Sequence, residues 1–153
     1  MQRAYDHGAR RILVLDLDAH CGGGTYGMTR HLDLVQIDVS TSSFDWWRPG
    51  SDDSESDLEF SAPEDYLPKV HRALQRASRL GPWDFVLYNA GMDPFNTGVS
   101  APVLKRREHM VAEWTRDDGA TRGAAPQHLR AVRRSGLTNP RFSVYLGRTV
   151  RPR

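Results

Sequence analysis

Arg11-Ile12-Leu13-Val14-Leu15-Asp16-Leu17-Asp18-Ala19-His20-Cys21-Gly22-Gly23-Gly24-Thr25 is the stretch on which the reading of this chain turns. Arg11–Leu17 is nearly continuous in Ile, Leu and Val, the pattern of a strand covered on both faces. The run ends in Asp-x-Asp-x-His and a glycine turn. Alternate residues of a strand project to one side, so Asp16, Asp18 and His20 line up at its carboxyl end. Two carboxylates and an imidazole on one edge form a half-site for a divalent metal. The stretch Asp84-Phe85-Val86-Leu87-Tyr88-Asn89-Ala90-Gly91-Met92-Asp93 is again an apolar strand that ends at a carboxylate. Sites in open α/β sheets gather outside the carboxyl ends of strands, where Asp18, His20 and Asp93 all fall. Three such ligands leave a coordination position open, as catalytic zinc sites do. Asp16, further back, is placed to orient a neighbour or to help bind a monovalent cation.

Working outward, Leu32–Val39 reads as a second strand. The glycine turn and a short segment with helical character lie before it. Residues 40–62 are polar and rich in Ser and Asp, with Phe44, Trp46 and Trp47 as anchors, and read as a long surface loop. Pro63–Leu80 has Leu67, Val70, Leu74 and Ala77 at helical spacing, although Pro68 moves the expected start to about that residue. Gly81-Pro82 breaks this helix before the strand Asp84–Ala90. Ser100-Ala101-Pro102 opens another helix, whose buried stripe is Val103, Leu104, Met110, Val111 and Trp114 and whose end falls near Gly119. Strands alternating with helices in this way predict an α/β sheet. Beyond Gly119 the pattern fades, with Arg141–Gly147 as the one candidate strand.

The chain has 153 residues, one domain's worth, and a net charge of +2. That total conceals an asymmetry: residues 1–104 carry 9 Lys/Arg against 15 Asp/Glu, and residues 105–153 carry 12 against 4. The division predicts a core over residues 1–118 and a basic, poorly structured or non-native tail over residues 119–153. A basic tail can bind nucleic acid, but the loss of apolar periodicity makes that the less favoured reading. No run reaches the roughly 18 apolar residues of a membrane span. With Cys21 as the only cysteine, no intrachain disulfide can form, and a cytoplasmic protein is expected. Cys21 itself reads as a small packed residue.

The paired motifs Asp16-Leu17-Asp18-Ala19-His20-Cys21-Gly22-Gly23-Gly24-Thr25 and Tyr88-Asn89-Ala90-Gly91-Met92-Asp93-Pro94 resemble the metal-binding core of the histone deacetylase superfamily. That superfamily includes bacterial acetylpolyamine amidohydrolases and acetoin-utilisation proteins. The resemblance covers about residues 8–118 and implies a partial, parallel-sheet, three-layer α/β domain of the arginase/deacetylase type. It implies Zn2+ held by Asp18, His20 and Asp93, and a K+ ion bound by Asp16 and, in a looser correspondence, Asp38. Gly22, Gly23 and Gly24 then form an active-site loop, and the substrate is an acetylated amine or acetyl-lysine. The family hydrolyses acetyl-amides with a tandem His-His pair for proton transfer and a tyrosine for the oxyanion. This sequence has no adjacent histidines and no matching tyrosine motif. Gly23 replaces the acidic or amide residue that many members use to orient the second histidine. With 19 Arg against 2 Lys and no acidic residue after Asp118, the expectation is a chain truncated at its start and shifted in frame near Gly119. A sheet lacking its flanking strands is expected to self-associate through exposed edges.

Two other readings stay open. In a haloacid dehalogenase-type phosphatase, Asp16 is the nucleophile and Asp18 the acid/base, with magnesium; that leaves His20 and Asp93 unexplained. In a non-catalytic protein, the site binds metal or nothing and the tail contacts an acidic partner. Among weaker signals, Gly22-Gly23-Gly24 could cradle a phosphate but lacks the lysine and spacing of a P-loop. Trp46 and Trp47 either line a substrate mouth or anchor their loop. His7, His31, His71 and His109 have no partners at metal-ligand spacing.

Overall fold

The computed structural model describes residues 1–116, 130–132 and 142–147. Its elements are α1 (Gln2–Asp6), β1 (Ile12–Asp16), α2 (Gly23–Thr29), β2 (Leu34–Ser40), β3 (Asp57–Phe60), α3 (Tyr66–Leu80), β4 (Phe85–Ala90), α4 (Ala101–Arg116), β5 (Arg130–Val132) and β6 (Phe142–Gly147). They build a sheet in the order β3-β2-β1-β4-β6-β5. The first four strands of that order are parallel to one another. β6 adds antiparallel to β4 and β5 to β6. Phe142–Gly147 of the expected Arg141–Gly147 strand form β6, while residues 117–129, 133–141 and 148–153, which hold most of the basic tail, lie outside the described residues.

β1 is the central strand of the parallel part, buried along its length. Pleating divides its residues between two layers. Leu13, Leu15 and Leu17 join Val35, Ile37 and Val39 of β2 and Val86, Tyr88 and Ala90 of β4 in the main core. α3 and α4 close that face with Tyr66, Val70, Ala73, Leu74 and Ala77 from one helix and Leu104 and Val111 from the other. The opposite face carries Asp16, flanked in register by Asp38 on β2 and Asn89 on β4. A smaller cluster of Cys21, Tyr26 and Trp47, with Leu58 against it, covers this polar face.

Three features differ from expectation. The supposed 40–62 loop contains β3, which extends the sheet beside β2. The Pro63–Leu80 helix begins as a single 3-10 turn, Pro63–Asp65, and becomes α-helical at Tyr66. Pro68 is tolerated because it is the third residue of α3, where a backbone N–H has no intrahelical acceptor. α4 carries the expected stripe, but with Arg107 fully buried among its apolar members.

The chain runs from β1 outward to β2 and β3, then returns through α3 to β4 on the other flank of β1. The strand order thus reverses direction between β1 and β4. A crevice opens at such a switch point, outside the carboxyl ends of the two strands. Among the described residues, no helix is long and apolar enough to cross a membrane.

Candidate metal centre

The two aspartates of Asp-x-Asp-x-His shape the turn that carries them. Asp16 Oδ1 accepts the backbone N–H of Asp18 at 3.0 Å, and Asp18 Oδ1 accepts that of His20 at 2.9 Å. Each carboxylate thus binds the N–H two residues on, which turns the chain away from the strand without leaving those donors unsatisfied. Across the crevice, Gly91 and Met92 follow β4, and Asp93 opens a 3-10 turn, Asp93–Thr97. Gly91 cannot be replaced freely, because a Cβ there would lie 2.0 Å from Asp18 Oδ2. The missing side chain is what allows the Asp18 carboxylate to reach towards Asp93.

Asp18, His20 and Asp93 converge, with one potential ligand atom from each lying within 4.8 Å of the others. His20 Nδ1 is 3.2 Å from Asp18 Oδ1 and 3.0 Å from Asp93 Oδ2. Zinc bonds of about 2.0 Å at tetrahedral angles separate neighbouring ligand atoms by roughly 3.3 Å. The two His20 spacings, which are also hydrogen-bond distances, are compatible with that edge, and the three residues together could hold a metal ion. Asp18 is buried, while His20 and Asp93 are partly open to the crevice. Burial, with a smaller contribution from the neighbouring Asp93 carboxylate, raises the pKa of Asp18, against the hydrogen bond it accepts from His20. A cation at this point relieves both costs. Phe44 lies edge-on to the His20 ring, with centroids 5.5 Å apart, and is itself largely exposed at the crevice.

Behind the turn is a second acidic pair. Asp16 takes both oxygens to Asn89 Nδ2, at 3.0 and 3.1 Å. Asp38 accepts Trp47 Nε1 at 2.7 Å, the Gly22 N–H at 2.9 Å and Gln36 Nε2 at 3.1 Å. All of these donors are neutral. Burial pushes the pKa of Asp16 up to about 8, helped by the Asp38 charge, and that of Asp38 to about 6. Gln36 Oε1, in the same pocket, is buried with no hydrogen-bond partner. Trp47 therefore anchors its loop to the sheet, stacked on Tyr26 at 4.1 Å, whereas Trp46 is about half exposed.

The glycines form the start of α2 rather than a loop, Gly22 being its N-cap. Their N–H groups are already used: Gly22 by Asp38, Gly23 by the Asp45 carbonyl at 3.1 Å and Gly24 by Asp45 Oδ2 at 2.8 Å. A phosphate cradle is thereby removed from consideration. A Cβ at Gly23 would stand 2.4 Å from the Asp45 carbonyl oxygen, so no larger residue fits there as the chain is folded. Asp45 itself adopts a left-handed conformation, φ 60°, to make this approach. Among the other histidines, His7 caps α1 and bonds the Arg3 carbonyl, and His71 bonds Gln75 on the exposed side of α3. His31 lines a separate cleft beside Arg30, Asp33 and Asp52. His109 is exposed on α4.

Sequence reasoning does not single out Asn89, Gln36 or Arg107. Asn89 sits inside the quoted motif but reads as a strand residue until the β1–β4 register sets it beside Asp16. Arg107 carries a signal: it falls between Leu104 and Val111 on the stripe of α4, where a charged residue is out of place. Comparison with protein-family models and with curated proteins found no match.

Proposed function

We propose that this chain is a zinc-dependent deacetylase-like domain that retains a metal centre but not the proton-transfer groups of amide hydrolysis. The observation that carries this reading is the convergence of Asp18, His20 and Asp93 at the β1–β4 switch point, with ligand atoms within 4.8 Å of one another. A zinc ion bound by these three side chains supplies Lewis-acid polarisation of an acetyl-amide carbonyl and a water of lowered pKa. Asp18 and Asp93 hold the metal as anionic donors, and His20 binds through Nδ1, the ring nitrogen that faces both carboxylates. By resemblance the substrate is an acetylated amine or acetyl-lysine, and the exposed Phe44 ring beside His20 offers it an apolar contact. By the same resemblance, Asp16 and Asp38 serve a potassium ion, for which two buried carboxylates with neutral donors and the unpaired Gln36 Oε1 are suitable surroundings.

The phosphatase alternative asks Asp16 to attack a substrate. Asp16 is only 5% exposed and both its oxygens are engaged by Asn89, which favours the metal reading. With no adjacent histidines in the sequence, little amide turnover is expected from this chain. The test is elemental analysis of the purified protein beside Asp18→Ala and Asp93→Ala. About one zinc per chain, lost in both variants, supports the proposal; a folded, metal-free wild type after zinc loading overturns it. Zinc-dependent deacetylation that disappears in Asp93→Ala would show that the missing histidines are not needed.

A further inference from the structure

Arg107 is the least expected residue of the core. It is fully buried, on a helix that contributes no metal ligand, and all three of its nitrogens are used. Nη1, with two N–H bonds, donates to the Leu17 carbonyl at 2.9 Å and the Gly91 carbonyl at 2.8 Å, and lies 3.1 Å from the Tyr66 hydroxyl oxygen. Nε and Nη2 donate to Glu108 Oε1 at 2.8 and 2.6 Å. The Tyr66 hydroxyl in turn donates to the same Leu17 carbonyl at 2.7 Å. Leu17 immediately precedes Asp18, and Gly91 lies two residues before Asp93.

We infer that Arg107 is a positioning residue of the metal centre, tying the backbone that carries Asp18 to the backbone that carries Asp93 through a single guanidinium nitrogen. The inference rests on the metal reading above. Two carboxylates facing one another across the crevice repel; the backbone there is joined by the Leu17 N–H to the Asn89 carbonyl at 3.1 Å, and a further tie beneath the ligands opposes that repulsion. Arg107 supplies that tie from the core side, so the ligands are held before metal arrives and the metal does not have to assemble them. A buried guanidinium is costly to desolvate, and it is retained here with donors matched to two backbone carbonyls and Glu108 and a longer contact from Nη2 to Met92 Sδ at 3.9 Å. Burial opposes its charge, and the Glu108 carboxylate, 2.6 Å from Nη2, pairs with it. Lysine cannot do the same work: one ammonium on a flexible stem does not fork between two backbone carbonyls and Glu108.

The experiment compares wild type, Arg107→Lys and Leu104→Ala in zinc affinity and in the visible absorption spectrum of the cobalt(II)-loaded protein. Leu104 faces the same core from the same helix but has no hydrogen-bonding group to offer either carbonyl, so its truncation is expected to cost stability without moving the ligands. Arg107→Lys is expected to weaken zinc binding roughly tenfold to a hundredfold and to alter the cobalt spectrum, with Leu104→Ala unchanged in both. Wild-type affinity and spectrum in folded Arg107→Lys overturn the inference, and so does an equal change in Leu104→Ala. If wild type itself binds neither ion, the metal reading has failed and takes this inference with it. Should Arg107→Lys not fold, Tyr66→Phe decides. It removes the hydroxyl shared by Arg107 and Leu17, and an unchanged spectrum and affinity there are equally fatal.

Discussion

The two faces of the sheet do different work, and β1 shows the contrast within one strand. Leu13, Leu15 and Leu17 enter an apolar layer closed by two helices. On the other side, the register sets Asp16 between Asp38 and Asn89 at the very end of the strand. The helix-covered face provides the burial that keeps the strands in register. The polar face uses that register to bring together groups that would repel or lose solvation if left alone. The metal ligands sit where the two meet, just past the carboxyl ends of β1 and β4. The difference predicts that the faces can be damaged separately.

The largest effect belongs to the apolar face. Leu15→Ala empties a site with no solvent exposure and is expected to cost about 2–5 kcal/mol of stability, read by urea denaturation. Zinc bound by the fraction that remains folded should keep its wild-type affinity. A second break strikes the crevice alone. Asp93→Asn should weaken zinc binding by at least about 100-fold, roughly 2.7 kcal/mol, while the metal-free protein unfolds at the wild-type urea concentration or a slightly higher one. Removing one of two facing carboxylates relieves repulsion. A large loss of stability in the metal-free variant would show that the site and the core cannot be separated in this way. A third break is smaller and falls on the polar face. Trp47→Phe removes the 2.7 Å hydrogen bond to Asp38 and should cost about 1–3 kcal/mol, since a buried carboxylate loses a donor.

The contrast also explains what could be read from sequence. The apolar face is legible because Ile, Leu and Val at strand and helix spacing have few other uses, and β1, β4, α3 and α4 stand close to where periodicity puts them. Asp18, His20 and Asp93 are legible as end-of-strand residues, since carboxylates and imidazole are conspicuous after an apolar run. β3 is not: Asp57-Leu58-Glu59-Phe60 lies at the sheet edge, its residues only half-buried or exposed, and carries no strong pattern. The roles of Asn89 and Arg107 depend on which strands become neighbours and which helix crosses beneath them. That information is in no local window. The three glycines look like a ligand-binding loop in sequence, yet they answer to the close approach of Asp45, Gln36 and Asp38 from later in the chain.

The subtlest break is a pH dependence of the metal-free protein. Buried Asp38 has a pKa of about 6, and Asp16 one of about 8, both above the value near 3.9 of an unfolded aspartate. Between about pH 4 and pH 6, then, folded protein keeps a proton on Asp38 that the unfolded chain has released. The unfolded state binds fewer protons there, so stability contributed by this group falls as pH rises, by at most about 1.4 kcal/mol per pH unit. Asp16 adds a decline of its own over the whole range from about pH 4 to pH 8. Asp38→Asn should reduce the slope between pH 4 and 6 to the part that Asp16 contributes, and, because the Asp38 charge helps to raise Asp16, should end the remaining decline at a lower pH. Urea titrations in the presence of a chelator measure both slopes. A wild-type stability that rises from pH 4 to 6, after exposed carboxylates are accounted for by the Asp38→Asn difference, would mean that the polar face holds Asp38 charged. In that case the hydrogen bonds from Trp47, Gly22 and Gln36 outweigh burial, and the face opposite the helices is preorganised for an anion rather than strained by one.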